Sequence, residues 1–151
     1  MDSPKSTKEL ENELKGIESP SDLYGWIDGN GIEDKNRRRF AVYFTKLCEE
    51  KNIRLSKLAE RVALSRPYIY ACANGTKNYP AKDVVLKLGF GINATLEEMN
   101  RLLKLSGHKE LYARNEEDAI IIFGIENGYD LYQIDELLAE RGIKLRLTDK
   151  D

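Results

Sequence analysis

Residues 58–75 carry the pattern that most constrains the fold of this chain. Their sequence is Leu-Ala-Glu-Arg-Val-Ala-Leu-Ser-Arg-Pro-Tyr-Ile-Tyr-Ala-Cys-Ala-Asn-Gly. Ser65 is a favourable N-cap, and Pro67 is tolerated in the first turn of the helix that follows. Asn74 and Gly75 are typical of a helix end, because glycine adopts the left-handed conformation at little steric cost. The segment therefore predicts two short helices joined by a tight turn.

The rest of the chain predicts further short helices rather than a sheet. Apolar side chains recur at intervals of three and four residues, and residues 6–9 and 95–98 have the spacing of a capping box. The predicted helices cover residues 6–17, 36–51, 57–62, 66–73, 81–90, 95–105, 115–126 and 131–141. Residues 19–22 are predicted to interrupt the helical pattern, and residues 142–147 are the one candidate strand. The sequence thus predicts an all-α chain.

The predicted helices group into three parts. Residues 1–35 form an N-terminal helical arm, residues 36–107 a five-helix domain, and residues 108–151 a C-terminal helical hairpin with a tail. Trp26 is the only tryptophan of the chain. Its place in the arm indicates that the arm docks on its own domain or on a partner.

The first helix of the predicted hairpin is apolar around most of its circumference. Its apolar residues include Ile121, Ile122, Phe123 and Ile125. A helix of this kind is buried on more than one side. Two interpretations stand side by side: the hairpin packs on its own core, or it forms a surface for a homodimer or for another protein partner.

Charge is distributed unevenly along the chain, although the formal net charge is only -2. Residues 36–82 carry 11 basic and 3 acidic side chains, whereas residues 1–35 carry 4 and 9, and residues 83–151 carry 9 and 14. A basic block between two acidic flanks indicates a polyanionic partner. The alternative is a basic face that is simply solvated.

Residues 58–75 resemble the helix-turn-helix of the Xre/Cro/phage-repressor family, in which Leu-Ala-x-x-Leu-Gly-Val-Ser leads into a second helix that ends at Glu-Asn-Gly. The resemblance extends over about residues 37–105 and implies a DNA-binding domain of five helices. It also implies that the helix at about 66–73 is a recognition helix, which such proteins place in the major groove. One departure is Ala63, which stands where the family has glycine. A positive φ at this position would strain alanine.

The resemblance and the basic block together predict which residues contact double-stranded DNA. Arg66 is placed to form paired hydrogen bonds with a guanine edge, and Tyr68 or Tyr70 to reach phosphate, sugar or a thymine methyl group. The loop at 76–80 is typical of phosphate contact in the family. The complete predicted set is Arg54, Lys57, Ser65, Arg66, Tyr68, Tyr70, Ala71, Asn74, Lys77, Asn78 and Lys82.

The sequence therefore predicts a DNA-binding transcriptional regulator, and the resemblance implies a homodimer on two half-sites. The alternative is a protein–protein interaction module that has the same fold and little or no DNA binding. In that case Trp26, Tyr68, Tyr70 or the hairpin would contact the partner.

Residues suited to catalysis or cofactor binding are sparse. The chain has one histidine, His108, and its two cysteines, Cys48 and Cys72, fall on inward helix faces, where they act as small hydrophobic residues. Gly89 and Gly91 are too close together to form a phosphate-binding loop. Neither enzyme activity nor a metal or cofactor is predicted.

A membrane association is not predicted either. The longest apolar run, residues 119–123, is far shorter than the roughly 18 residues that cross a bilayer. The first residues lack the apolar core of a secretion signal. The expected location is the cytoplasm.

Overall fold

The computed structural model describes residues 5–30 and 38–149 of the chain. Over these ranges the chain forms nine α-helices and no strand. The helices are α1 (Thr7–Lys15), α2 (Pro20–Gly29), α3 (Arg39–Glu50), α4 (Leu55–Val62), α5 (Arg66–Asn74), α6 (Lys82–Gly91), α7 (Leu96–Leu105), α8 (Glu116–Glu126) and α9 (Leu131–Glu140). Residues 142–147, the candidate strand, have no regular secondary structure. The predicted all-α class is confirmed for the described residues.

Helix α2 lies where the sequence pattern predicted an interruption. Ser19 is its N-cap, since the side-chain oxygen accepts the Asp22 N–H at 3.1 Å. Pro20 occupies the first turn, where its missing N–H has no intrahelical acceptor to lose. The Ser-Pro pair therefore begins a helix: the helical pattern is interrupted, but only at residues 16–19, and the sequence did not predict the helix that follows.

The helix caps that the sequence predicts for α5 and α7 are present in the structure. The Ser65 hydroxyl oxygen accepts the Tyr68 N–H at 3.2 Å, and α5 ends at Gly75 with a φ of 86°. Thr95 and Glu98 form a reciprocal capping box at the start of α7. These local bonds satisfy N–H groups that a helix start leaves without a partner.

Helix α6 lies at the centre of the helical assembly. Its residues 84–91 are all buried, and it contacts both α4 and α7. A Cβ atom on Gly91 would lie 2.4 Å from Cγ1 of Val62, and a Cβ on Gly89 would lie 2.3 Å from Cε of Met99. Both glycines therefore permit close helix packing.

One hydrophobic cluster contains buried side chains from every helix from α3 to α9. It contains Phe44 of α3, Ile69 of α5 and Leu102 of α7, and also Ile121 of α8 and Ile134 of α9. The helices of the predicted hairpin thus share the core of the preceding helices. The side of the hairpin that carries Ile121 and Ile134 therefore packs on the chain's own core, as the first of the two interpretations states.

The C-terminal tail is tied to α9 and α6. The two carboxylate oxygens of Asp135 accept the N–H of Leu147 at 2.7 Å and the N–H of Thr148 at 3.0 Å. Leu147 is fully buried, and the Lys87 ammonium on α6 donates to the carbonyl of Asp149 at 2.8 Å. The tail therefore covers part of the core and provides an acceptor for a buried lysine.

Ala63 ends α4 in the left-handed conformation, with φ 56° and ψ 41°. The φ of Ala63 is therefore positive, which is the conformation that strains alanine at a position where the family has glycine. A non-glycine residue in this conformation costs roughly 1–2 kcal/mol.

We expect Ala63→Gly to raise the free energy of unfolding by about 0.5–1 kcal/mol, because the strain that is removed exceeds the entropic cost of glycine. The matched control is Ala71→Gly inside α5, which should lower the same free energy by about 0.5–1 kcal/mol. Urea unfolding followed by circular dichroism measures both. Equal destabilisation by the two substitutions would contradict strain at residue 63.

Candidate nucleic-acid interface

The inner faces of α4 and α5 determine which side of α5 meets the solvent. Leu58 and Val62 of α4 are fully buried, as are Ile69 and Cys72 of α5. This burial leaves the opposite side of α5 in the solvent. Its exposed residues are Arg66, Pro67, Tyr70 and Asn74.

The residues predicted to contact DNA differ in exposure. The exposed ones, which we call the α4–α5 surface, are Arg54, Lys57, Ser65, Arg66, Tyr70, Asn74 and Lys77. Tyr68, Ala71 and Lys82 are half-buried, and Asn78 is buried. The open part of the predicted set therefore runs from the start of α4 along α5 to the residues that follow it.

Glu60 lies between two cations of the α4–α5 surface. Its carboxylate is 3.6 Å from Nη2 of Arg66 and 3.9 Å from Nζ of Lys57. Ion pairs between exposed groups contribute at most about 1 kcal/mol. A phosphate group can therefore replace Glu60 beside these cations at low cost.

Arg38 is a neighbour of α5 that the sequence did not identify as a candidate contact. A Cβ atom on Gly75 would lie 2.8 Å from Cδ of Arg38, so the arginine side chain passes over the end of α5. Lys77 lies close by in sequence, with its Nζ 5.8 Å from the centroid of the Tyr68 ring. This end of α5 thus carries cations from two separate parts of the chain.

The loop after α5 is held from two sides. The Tyr79 ring stacks on Tyr24 of α2 with a centroid distance of 5.0 Å, and His108 Nε2 lies 2.7 Å from the carbonyl oxygen of Pro80. Asn78 is 6% exposed, and its Oδ1 has no hydrogen-bond partner among the described residues. In this conformation the Asn78 side chain points away from solvent, so the predicted phosphate contact would need the loop to rearrange.

Lys82 already has an acidic partner within the protein. Its Nζ is 3.1 Å from Oδ1 of Asp118, a buried residue at the start of α8. The other carboxylate oxygen accepts the Tyr112 N–H at 2.9 Å. The lysine therefore joins α6 to α8, a role that its place in the basic block did not reveal.

The candidate interface residues of the hairpin separate into two groups. Ile121 is fully buried in the chain's own core, which makes it unavailable to a partner. Ile122 and Ile125 are half-buried, and Phe123 is 48% exposed. Beside Phe123 a groove of about 450 Å³ lies between α8 and α9.

The N-terminal arm makes its aromatic contact with the loop through Tyr24 rather than through Trp26. The Trp26 Nε1–H donates to the Glu13 carboxylate at 2.9 Å, which joins α2 to α1. Within the described residues, no side chain of α1 or α2 is buried. The arm therefore lies on the surface rather than in the core.

The two cysteines have the character of buried thiols. Burial raises the pKa of Cys48 to about 11 and that of Cys72 to about 12. At neutral pH both thiols are protonated, and only the thiolate is a good nucleophile or metal ligand. In the described part of the chain, no group of three or more histidine, cysteine, aspartate or glutamate side chains is arranged to hold a metal ion.

No protein-family model, curated protein or solved structure matches this chain. Among residues 5–30 and 38–149, no helix has the length and apolar character needed to cross a membrane.

We expect Lys82→Glu to lower the free energy of unfolding by about 2 kcal/mol, because it leaves the buried Asp118 carboxylate facing a like charge. Lys77→Glu is the matched control on an exposed side chain and should change it by less than about 1 kcal/mol. Thermal and urea unfolding of the two variants provide the comparison. Equal stability of the variants would argue against the Lys82–Asp118 pair.

Proposed function

We propose that this protein is a DNA-binding transcriptional regulator in which α4 and α5 form an Xre-like helix-turn-helix. The observation that supports this is the outward side of α5, where Arg66 and Tyr70 are exposed on a helix whose inner side is fully buried. In helix-turn-helix proteins the first residues of the second helix contact base edges, while the first helix crosses the DNA backbone. On this proposal α3 to α7 are the five helices of the DNA-binding domain.

Cations on both sides of α5 support contact with the DNA backbone. Arg54 and Lys57 lie at the start of α4, and Arg38 and Lys77 lie at the C-terminal end of α5. Each phosphate that is neutralised releases condensed counterions, which supplies most of the non-specific affinity of such proteins. This surface is therefore suited to duplex DNA even where base contacts are few.

Arg66 is the residue best suited to select a base. It is the first residue of α5, and its guanidinium can form paired hydrogen bonds with guanine once Glu60 is displaced. The neighbouring Pro67 has no donor, and Tyr70 offers an aromatic ring and one hydroxyl group. We therefore propose a regulator that prefers certain sites through few base contacts and depends strongly on the backbone.

We expect Arg66→Ala to weaken binding to the preferred site by about 1–3 kcal/mol and to reduce discrimination at one base pair. The stability of the fold should change by less than about 0.5 kcal/mol, because the side chain is exposed. Fluorescence anisotropy with duplexes selected from a random pool measures affinity, and unfolding curves measure stability.

Arg114→Ala is the matched control, since it removes the same charge at an exposed position outside the α4–α5 surface. It should leave affinity and base preference unchanged. The parent protein should lose affinity steeply as salt is added. Duplex binding that is absent at low salt, or that is independent of salt, would contradict the proposal.

A protein–protein interaction module is the second candidate, and the exposed Tyr70 ring is the observation that favours it. Tyrosine gives a large contact area at low entropic cost and is common among residues that dominate binding energy. In that case Tyr70→Ala abolishes a protein complex, whereas Arg66→Ala leaves DNA affinity unchanged. The same two variants therefore separate the two functions.

We further propose that the regulator is a homodimer that pairs through the groove between α8 and α9. The groove has an apolar centre formed by Ala119, Ile120, Phe123 and Leu137, and a charged rim of Glu116, Glu140 and Arg141. An apolar centre within a polar rim is the usual composition of a protein interface. A two-fold dimer would place two copies of α5 for two half-sites.

We expect sedimentation to show a dimer for the parent protein and a monomer for Phe123→Ser at the same concentration, because the substitution removes the main apolar contact of the groove. Tyr132→Ser is the control, since Tyr132 is 70% exposed on α9 and lies outside the groove. A monomeric parent, or a Phe123→Ser variant that remains dimeric, would contradict pairing through this groove.

A further inference from the structure

A second basic surface lies in a groove between α3 and α7; of its lining residues, only Arg38 also belongs to the proposed DNA contact. We call it the α3–α7 groove; it has a volume of about 420 Å³. Its lining includes the cations Arg39, Lys46 and Arg101 and the apolar side chains of Val42, Tyr43 and Leu105. The groove thus combines positive charge with an apolar floor.

The cations of the groove form few ion pairs. Arg39 and Arg101 form no ion pair with a carboxylate of the described residues, and Lys46 reaches only Glu50, at 3.9 Å between two exposed groups. Three glutamates, Glu97, Glu98 and Glu110, line the wider cavity into which the groove opens.

Two of these glutamates already have lysine partners. Glu98 is 3.0 Å from Lys51, and Glu110 is 3.5 Å from Lys104. Glu97 has no such partner among the described residues, but it forms no ion pair with Arg39 or Arg101 either, so these two cations remain available to an anionic ligand.

The floor of the groove is suited to an apolar side chain. Val42 is 65% exposed and lines the groove together with the long side chains of Arg39, Lys46 and Arg101. The guanidinium carbon of Arg101 lies 5.0 Å from the centroid of the Tyr43 ring. A guanidinium held over a ring face by cation–π attraction can still form paired hydrogen bonds with a carboxylate.

We propose that the α3–α7 groove binds an acidic peptide segment of a partner protein. Carboxylates of the peptide pair with Arg39, Lys46 and Arg101, and an apolar side chain between them covers Val42. Such a segment supplies negative charge for the cations of the groove and an apolar side chain for its exposed apolar surface. A second binding surface would let the protein contact another protein while α5 is on DNA.

The shape and chemistry of the groove favour a peptide over nucleic acid. A duplex is read by elements that protrude into its grooves, whereas this surface is a concavity that accepts side chains. A phosphate backbone would satisfy the cations but would leave Val42 and Leu105 without an apolar partner. Burial of an exposed apolar side chain is a favourable term that a peptide with a large apolar side chain provides and a phosphate backbone does not.

The probe is a short fluorescent peptide in which glutamates flank a central leucine and phenylalanine, with a companion that has alanine in place of those two residues. We expect the first peptide to bind the full-length protein saturably at low salt. The companion should bind about tenfold more weakly, because it has no large side chain to place on Val42. Fluorescence anisotropy measures both.

Variants of the groove sharpen the test. Arg39→Glu and Arg101→Glu should each weaken peptide binding by about tenfold or more. Arg39→Glu is also expected to fold, since an acidic residue in the first turn of α3 suits the helix dipole. Val42→Ser should remove the preference for the apolar peptide. Arg114→Glu is the control for charge reversal and should leave peptide binding unchanged.

Three results would overturn the inference. The first is that neither peptide binds saturably at low salt. The second is that Arg39→Glu and Arg114→Glu have the same effect. The third is that Arg39→Glu abolishes duplex binding while the peptide does not bind, which would assign the groove to nucleic acid. The Arg66→Ala measurements test the proposed DNA contact independently, so the two proposals can fail separately.

Discussion

The close packing of α6 against α4 and α7 is the constraint on which the rest of the described structure depends. Gly91 lets Leu58 and Val62 of α4 reach the α6 backbone, and Gly89 does the same for Met99 of α7. A side chain at either position would meet atoms within 2.5 Å. With α4 held in this way, the tight turn at residues 63–65 leaves α5 little choice of direction. The exposed side of α5 is therefore a consequence of helix packing some distance from it.

Charge is organised by the same packing. The basic side chains of residues 36–82 fall into separate groups in the structure. Some are exposed beside α5 and some line the α3–α7 groove. Lys82 instead pairs with a buried carboxylate. Lys82 is bound to Asp118, whereas Arg66 and Lys57 share the exposed Glu60. Side chains of the same charge therefore differ in how readily they can bind a ligand. An exposed cation can exchange its carboxylate partner for a ligand with little loss of free energy, because exposed ion pairs contribute little to stability.

Local features of the helices could be predicted because each depends on residues that are close in sequence. Ser65, Gly75 and the Thr95–Glu98 pair act through bonds that span only a few residues. Short-range sequence information also explains why α2 was not predicted. A Ser-Pro pair is compatible both with the end of one helix and with the start of the next. Only the contacts of the following residues decide between the two.

The sequence by itself determined the helical class of the described chain, its main caps and the basic block. It also identified Ala63 as the position where the backbone turns. The tertiary structure alone decided that Asn78 is buried, that Ile121 belongs to the core, and that Arg38 reaches the end of α5. The physical reason is the range of the interactions. Caps and periodicity are encoded within a few residues, whereas burial and ion pairing depend on segments that are far apart in the chain and meet only when the helices pack.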